Sequence, residues 1–427
     1  MNNPPQKSSH SSVRRLSPLR DFLHRESSGA VLLAIAAVVA LIWANSPWSA
    51  SYESLWATKA SVSFAGHSLD LDLRHWVNDG LMTIFFFVVG LEIKREVTHG
   101  HLSNRRAALL PGIAAIGGMA IPALVYLAIA GSTAPRGWAI PVATDIALAV
   151  GVLSVAKGRV PSSLRAFLLG LAIVDDIGAI IIIAVVYSSG VAFGWITAAF
   201  IGVVLAVLVR RSGVQTIAVY VVVGVFVWFA MHEGGIHPTI AGVMMGLLAP
   251  ASPRVQTQLV DVDDGFEVSD IDAARMATHA ARSSVSTVEW LQHVLHPWSS
   301  FFIVPVFALA NSGIEVSIEG LRDAFGSSVT WGIFFGLLVG KPLGIFVATR
   351  LAIRSGIADA PEGARPLQVV GVGTAAGIGF TVALFITELA LPNEADQTNA
   401  KMAILLASVT AAILAIGLLF KKKSRSD

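Results

Sequence analysis

The stretch LLGLAIVDDIGAIIIIAVV (168–186) decides the fold class, because it sets two adjacent acids, Asp175 and Asp176, within an apolar run. A run of this length matches the roughly 20 residues that an α-helix needs to cross a bilayer. An ionisable side chain at mid-membrane is costly and is retained where it serves a function. The pair therefore indicates a site for a cation or a proton. A structural pair satisfied by other helices is the alternative interpretation.

The composition extends this interpretation to the whole chain of 427 residues. Apolar residues make up 54 % and charged residues only 14 %, and the mean hydropathy is +0.70. Soluble domains carry about 25 % charged residues, so a water-soluble globule is excluded, and intrinsic disorder is excluded by the same numbers. The chain has no cysteine, which excludes disulfides, thiolate metal sites and cysteine nucleophiles. The sequence predicts an all-α polytopic membrane protein.

Twelve apolar runs predict twelve transmembrane helices. They lie near residues 29–45, 76–93, 107–130, 138–156, 164–187, 193–209, 214–231, 236–250, 298–312, 329–349, 367–390 and 399–420. An even number places both termini on one side. The tails and even-numbered loops hold 24 Lys and Arg, the odd-numbered loops hold five, and Lys341 lies inside a run. By the positive-inside rule, this excess predicts cytoplasmic termini.

The predicted organisation is a single transmembrane domain over residues 21–420. A disordered cytoplasmic tail (1–20) precedes it and a basic cytoplasmic tail (421–427) follows it. The predicted cytoplasmic loop 251–292 contains the acidic segment DVDDGFEVSDID (261–272). The spacing of its acids does not match an EF-hand, so we expect a solvated loop.

Residues 59–73 alternate apolar and polar side chains on both sides of Ala65-Gly66-His67, which predicts a β-hairpin on the outer face. A hairpin at the surface can pair with a copy of itself across a two-fold axis. This favours a homodimer through the hairpin, and a lid over the outer mouth is the alternative interpretation.

Two predicted helices are interrupted at corresponding places in the two halves of the chain. Pro141 and Thr144 precede Asp145 in GWAIPVATDIALAVGV (137–152), and GVGTAAGIGFTVALF (371–385) is rich in glycine. Paired interruptions of this kind are typical of a transporter site at the interface of two repeats. The sequence predicts inverted-topology repeats of spans 3–5 and 10–12, with two broken helices crossing at mid-membrane.

The crossing places partial charges in a low-dielectric region, because each half-helix terminus carries about half an elementary charge. Asp145 is positioned to offset the N-termini and Lys341 the C-termini. We expect the Lys341 ammonium to pair with an aspartate, first of all Asp175. Whether Asp145 also contacts an ion stays open. Burial and a neighbouring carboxylate both disfavour the charged form, so Asp175 and Asp176 are expected to titrate as a coupled unit.

At these residues the chain resembles the NhaA-type sodium/proton antiporters. The segments that carry the resemblance are FFFVVGLEIKRE (85–96), PVATDIALAVGVLS (141–154), LAIVDDIGAIIIIA (171–184), HVLHPW (293–298), VGKPLGI (339–345) and GIGFT (377–381). Their order and spacing agree with the family over roughly residues 20–420.

The resemblance implies a secondary antiporter, not an enzyme, that exchanges cytoplasmic Na⁺ or Li⁺ for external protons in an electrogenic, pH-regulated cycle. It implies the bacterial inner membrane, a role in pH homeostasis and a homodimer. Na⁺, Li⁺ and protons are transported ions, and neither a cofactor nor a nucleic-acid partner is expected. By position, Asp175 and Asp176 match the family's Na⁺- and proton-binding pair, Thr144 and Asp145 its broken-helix residues, and Lys341 its deep lysine.

Three further residues match positions linked to pH sensing or to a cytoplasmic funnel: Glu92, His237 and His293. For each, an ordinary interfacial charge or histidine is the alternative interpretation. The family often carries an acid where this chain has Gln292, and Glu289 lies three residues earlier. The sequence therefore matches the family less completely at the residues linked to pH response than at the residues linked to transport.

Three other classes fit some of these features. An intramembrane aspartyl protease needs its two acids on different helices, whereas Asp175 and Asp176 are adjacent. A cation channel is expected to have continuous pore helices and rings of acids rather than paired helix breaks and a lone lysine. A carrier of organic anions is disfavoured by the excess of acids. Na⁺-dependent electrogenic proton movement in vesicles would separate these alternatives.

Overall fold

The computed structural model describes residues 26–64, 67–156, 158–188, 190, 192–212, 214, 216–252 and 285–421. The predicted tail 1–20, residues 422–427 of the second tail and the acidic segment 261–272 lie outside the described residues. The described chain is mainly helical, with one two-stranded sheet.

The helices, in chain order, are α1 (Glu26–Ala44), α2 (Ser49–Trp56), α3 (Leu73–His99), α4 (Arg105–Ala130), α5 (Ile146–Val155), α6 (Ser162–Val186), α7 (Phe193–Arg211), α8 (Ile217–Glu233), α9 (Thr239–Leu248), α10 (Thr287–Asn311), α11 (Ile318–Gly326), α12 (Ser328–Arg354), α13 (Pro366–Ala376), α14 (Phe380–Ala390) and α15 (Glu394–Phe420). A 3₁₀ helix, here called the leader (Pro135–Val142), precedes α5. A short 3₁₀ turn covers His101–Ser103.

Eight of the described helices, with the leader and α5 taken as one, are long and apolar enough to cross a membrane. The bent pairs α1–α2 and α13–α14 bring the number to ten if each pair is one span, and α8 and α9 are shorter apolar helices. Each of the twelve predicted runs coincides with one of these helices or pairs. The protein is therefore a multi-pass membrane protein, and the exact count of twelve spans stays a prediction.

The predicted hairpin is confirmed as a two-stranded antiparallel sheet. Strand β1 (Lys59–Phe64) pairs with β2 (His67–Asp72), and Lys59 lies opposite Asp72 in the register. The sheet leads directly into α3, because Asp72 caps that helix and accepts a hydrogen bond of 2.8 Å from the His75 N–H. Its position on the outer face stays a prediction.

Two helices are interrupted where the sequence predicts. Residues 143–145 are extended between the leader and α5, and Pro141, which lacks an N–H to donate, lies in the last turn of the leader just before them. Residues 377–379 separate α13 from α14, whose axes differ by 48°. Both breaks lie against each other, since the Asp145 N–H donates to the Ile378 carbonyl over 2.7 Å.

Helices α4 and α12 approach so closely that their backbones touch. A Cβ atom at Gly117 would lie 2.5 Å from the Gly344 carbonyl oxygen, and one at Gly118 would lie 3.9 Å from Cε of Lys341. Small residues at a crossing allow such an approach in membrane helices. Lys341 follows a wider π turn (Gly336–Gly340). The close packing fixes the helix that carries Lys341 against α4.

Helix α10 begins earlier than the apolar run near 298–312 predicts. It starts at Thr287, where Ser286 caps it by accepting a hydrogen bond of 3.2 Å from the Glu289 N–H. Its first turns are amphipathic, with Val288 and Gln292 buried and Glu289 exposed. A search for apolar runs misses such a segment, because only one of its faces is buried.

Candidate functional site

The candidate site forms where the two helix breaks lie against each other, here called the crossing, beside α6 and α12. It collects Thr144 and Asp145 from the first break, Asp175 and Asp176 from α6, and Lys341 from α12. The exposed fractions of these residues are 1, 2, 1, 9 and 0 % in that order. Residues as distant in the chain as Asp175 and Lys341, 166 positions apart, therefore meet in one buried cluster.

Asp145 caps two helices at once. Its Oδ1 accepts a hydrogen bond of 3.0 Å from the Leu148 N–H in the first turn of α5. Its Oδ2 accepts from Thr381, at 3.1 Å from the N–H and 2.6 Å from the hydroxyl, in the first turn of α14. Carboxylates at helix N-termini are favourable because of the partial positive charge there. This geometry confirms the prediction that Asp145 offsets the N-termini at the crossing.

Lys341 pairs with Asp175, as the sequence predicts. Its Nζ lies 2.5 Å from Asp175 Oδ2, and it also donates to the Val142 carbonyl, the last of the leader. The lysine therefore meets both a carboxylate and the negative end of a half-helix. Such a pair in a dry interior is retained only with good geometry and further hydrogen bonds.

Thr144 completes the surroundings of Asp175. Its hydroxyl lies 2.6 Å from Asp175 Oδ2 and 2.9 Å from the Ala376 carbonyl, at the end of α13. The hydroxyl has one proton, so it donates either to Asp175 Oδ2 or to the Ala376 carbonyl at any one time. The other carboxylate oxygen of Asp175, Oδ1, is buried and has no hydrogen-bond partner among the described residues.

Asp176 differs from the other two acids. It is the least buried of the three, and within the described ranges its carboxylate receives no hydrogen bond. Lys341 forms an ion pair with Asp175 and two helix N-termini face Asp145, whereas Asp176 has no ion pair within the described residues. Asp175, the preceding residue, has the unpartnered Oδ1, and the Thr144 hydroxyl lies at its other oxygen. Hard cations such as Na⁺ take oxygen ligands of these kinds.

The residues predicted for pH sensing or a funnel lie apart from this cluster. Glu92 is half-buried on α3, and its charge acts on Asp176. His237 lies before α9, with Nδ1 at 3.0 Å from the Thr239 hydroxyl and Nε2 at 4.0 Å from Asp79 Oδ1. His293 is exposed on α10. Of these three residues, Glu92 is the one whose charge acts on an aspartate of the cluster.

Two further polar side chains lie near these positions. Asp79 lies inside α3 and faces His237, and Asp72 caps that helix. Gln292 is buried, and its Oε1 has no hydrogen-bond partner in the described part of the chain. Glu289 is exposed and does not occupy the place of Gln292.

Sequence reasoning did not identify every group at the crossing. Thr381 lies within the glycine-rich segment 371–385 without a role predicted for it, yet both its N–H and its hydroxyl donate to Asp145. The carbonyls of Val142 and Ala376 were not identified either. A threonine directly after the GIGF run was the available signal for Thr381, whereas a main-chain carbonyl leaves no signal in a sequence.

Comparison with known proteins gives consistent matches over nearly the whole chain. The family model described as "Na+/H+ antiporter 1" matches residues 20–419. The chain is 43 % identical to the Na⁺/H⁺ antiporter NhaA 2 of Sorangium cellulosum, covering 93 % of this chain and 88 % of that protein. It is 44 % identical to NhaA of Oleidesulfovibrio alaskensis (93 and 92 %) and 42 % identical to NhaA of Rhodopirellula baltica (95 and 94 %).

Proposed function

This chain belongs to the Na⁺/H⁺ antiporter 1 family and is a secondary transporter rather than an enzyme, and we propose that its exchange takes place at Asp175 and Asp176. Cytoplasmic Na⁺ or Li⁺ leaves in exchange for external protons, and the cycle is electrogenic. The observation that carries this proposal is the pair of adjacent buried carboxylates on α6, in which Asp176 has no ion pair and Asp175 has an unpartnered Oδ1 among the residues that the structure describes.

Competition between the cation and protons for one site is sufficient for exchange. Bound Na⁺ stabilises the charged carboxylates and displaces protons from them. When Na⁺ leaves, two adjacent buried carboxylates cannot both stay ionised at low cost, so protons return. Alternating exposure of the crossing to the two sides of the membrane then couples the two flows.

The other residues of the cluster have distinct roles in this proposal. Asp145 holds the crossing together by capping α5 and α14, and its oxygens are engaged in doing so. Thr144 is a candidate ligand, because its hydroxyl oxygen lies at Asp175. When Asp175 binds Na⁺, Lys341 loses part of its partner's charge, and its deprotonation provides a second proton route.

The pH response is proposed to involve groups outside the cluster. His237 lies 4.0 Å from Asp79, so a change in the protonation of either group changes the electrostatic surroundings of the other. Glu92 acts on Asp176 by its charge, so its protonation changes the affinity of the pair for cations. His293 is exposed, whereas Gln292 has no ionisable group. We therefore assign the response to His237 and Glu92 first and to His293 second.

The proposed arrangement in the membrane has twelve spans with inverted repeats and both termini in the cytoplasm of a bacterial cell. Both candidate repeats contain one broken helix, and 24 Lys and Arg on one side against five on the other support the orientation in the inner membrane. Reporter fusions at the two termini test it. A periplasmic signal at either terminus would contradict the topology.

A homodimer through residues 59–73 is proposed from the two-stranded sheet. Each strand has one unpaired edge, and such an edge is a template for a strand of a second copy. Deletion of residues 60–71 is expected to convert the dimer to a monomer in detergent, as measured by light scattering with size exclusion. A dimer that persists after the deletion would contradict this interface.

The experiment that tests the proposed function measures ΔpH in proteoliposomes. Addition of Na⁺ or Li⁺ is expected to dissipate an imposed ΔpH at a rate that depends on pH. Clamping the membrane potential at zero with valinomycin and K⁺ should accelerate the exchange, because net charge moves. A Na⁺-independent rate would exclude exchange, and a rate unaffected by the clamp would exclude electrogenic exchange.

A further inference from the structure

The chain contains four tyrosines, and all four phenols donate to main-chain carbonyls. Two of these bonds hold the same short segment. Tyr126, at the end of α4, donates to the Ala134 carbonyl over 2.9 Å. Tyr187, directly after α6, donates to the Arg136 carbonyl over 2.6 Å. Both bonds fix the start of the leader (Pro135–Val142).

The leader needs such support because of its own geometry. A 3₁₀ helix has poorer hydrogen bonds than an α-helix, and runs longer than three or four residues are uncommon. The leader extends over eight residues. Tertiary contacts therefore hold it in place, and the two phenols donate side-chain hydrogen bonds at its start.

The far end of the leader belongs to the site. The Val142 carbonyl accepts from Lys341, and two residues later the Thr144 hydroxyl meets Asp175. A movement of the leader along its axis therefore shifts an acceptor of Lys341 and a neighbour of Asp175 together.

The two tyrosines connect the leader to the elements that carry the rest of the site. Tyr187 follows α6, which carries Asp175 and Asp176. Tyr126 lies on α4, which packs on the helix of Lys341, and its ring contacts that helix where a Cβ at Gly332 would lie 3.0 Å from Cδ2. The two tyrosines are buried, at 0 and 8 % exposed.

We propose that Tyr126 and Tyr187 are positioning residues that set the cation affinity of the aspartate pair without contacting the ion. The proposal rests on the proposed function. Through the leader, the two phenols fix the Val142 carbonyl and Thr144 relative to Asp175 and Lys341. Loss of a phenol loosens these groups, whereas the carboxylates that exchange protons stay on an unchanged α6.

The test replaces each tyrosine by phenylalanine, which removes only the hydroxyl. In proteoliposomes, Tyr126→Phe and Tyr187→Phe are expected to raise the apparent KM for Na⁺ about threefold to tenfold, the range that one hydrogen bond supports. The maximal rate should stay within about twofold, since chemistry at the carboxylates is unchanged. Gly137→Ala keeps both phenols but pushes a methyl group against the Tyr126 hydroxyl, and it should raise KM in the same way.

Two matched controls exist in the same chain. Tyr52 is buried at 0 % exposure and donates to Leu309 and Ala310, and Tyr220 donates to Val214; both lie away from the leader. Tyr52→Phe is expected to lower thermal stability to a similar degree as Tyr126→Phe and to leave KM unchanged. If Tyr126→Phe does not fold, Tyr187→Phe, directly after α6, tests the same hydrogen-bonded support of the leader.

The outcomes separate this inference from the proposed function. If the wild type exchanges Na⁺ for protons and all four tyrosine-to-phenylalanine variants have the KM of the wild type, the positioning role is overturned and the proposed function stays intact. An equal rise in KM for Tyr52→Phe also overturns it, because the effect would then be general destabilisation. Absence of wild-type Na⁺-dependent exchange contradicts the proposed function, and the positioning role with it.

Discussion

Exchange is expected to fall to the background of protein-free vesicles when Asp176 is replaced by Asn. The side chain keeps its shape and loses the negative charge of a carboxylate that has no ion pair in the described part of the chain. Without that charge the site neither attracts a cation nor carries the proton that the cation replaces. The measurement is Na⁺-dependent dissipation of ΔpH in proteoliposomes at matched protein density.

Asp323→Asn is the matched control for this prediction. Asp323 is exposed on α11, outside the membrane-embedded cluster, and its replacement should leave the rate at the wild-type level. Asp176→Asn should fold as well as wild type, because the carboxylate makes no hydrogen bond to a described residue. A wild-type exchange rate in Asp176→Asn would remove Asp176 from the site.

Lys341→Met is expected to cause the largest loss of stability, about 3–5 kcal/mol in the free energy of unfolding. The substitution leaves Asp175 buried at 1 % exposure without the ammonium that lies 2.5 Å from it. It also leaves the Val142 carbonyl without its donor. Reversible unfolding in detergent, followed by circular dichroism, measures the loss.

The double variant Lys341→Met/Asp175→Asn is the sharper test. It removes both charges, so we expect it to recover most of the stability that the single variant loses. Lys401→Met is the control, because Lys401 pairs with Glu388 over 2.6 Å but stays partly exposed, and such pairs contribute about 0–1 kcal/mol. A loss in Lys341→Met no greater than that in Lys401→Met would contradict a buried ion pair.

The buried charges could be predicted from the sequence because a bilayer makes them conspicuous. Asp175, Asp176 and Lys341 interrupt apolar runs, and the pairing of Lys341 with Asp175 followed from the scarcity of deep basic residues. The breaks at 143–145 and 377–379 were also predictable, since Pro141 and the glycine-rich run disfavour a continuous helix.

The detailed arrangement at the crossing could not be predicted in the same way. Asp145 caps α14 only because the fold brings Thr381 to it across 236 positions. The Val142 carbonyl has the same chemistry as any other main-chain carbonyl, so no sequence signal marks it. The early start of α10 was missed because its first turns bury one face only. In the first two cases tertiary contacts decide the outcome, whereas α10 starts at a local cap, Ser286, and buries one face.

Proton release on Na⁺ binding tests most directly the claim that cation and protons compete for one carboxylate pair. Purified protein in weakly buffered detergent solution receives a pulse of Na⁺ while a pH dye reports free protons. The wild type is expected to release protons in a saturable manner, and Asp176→Asn is expected to release none. Saturable Na⁺ binding to the wild type without proton release would contradict the account, because the two ions would then occupy separate sites.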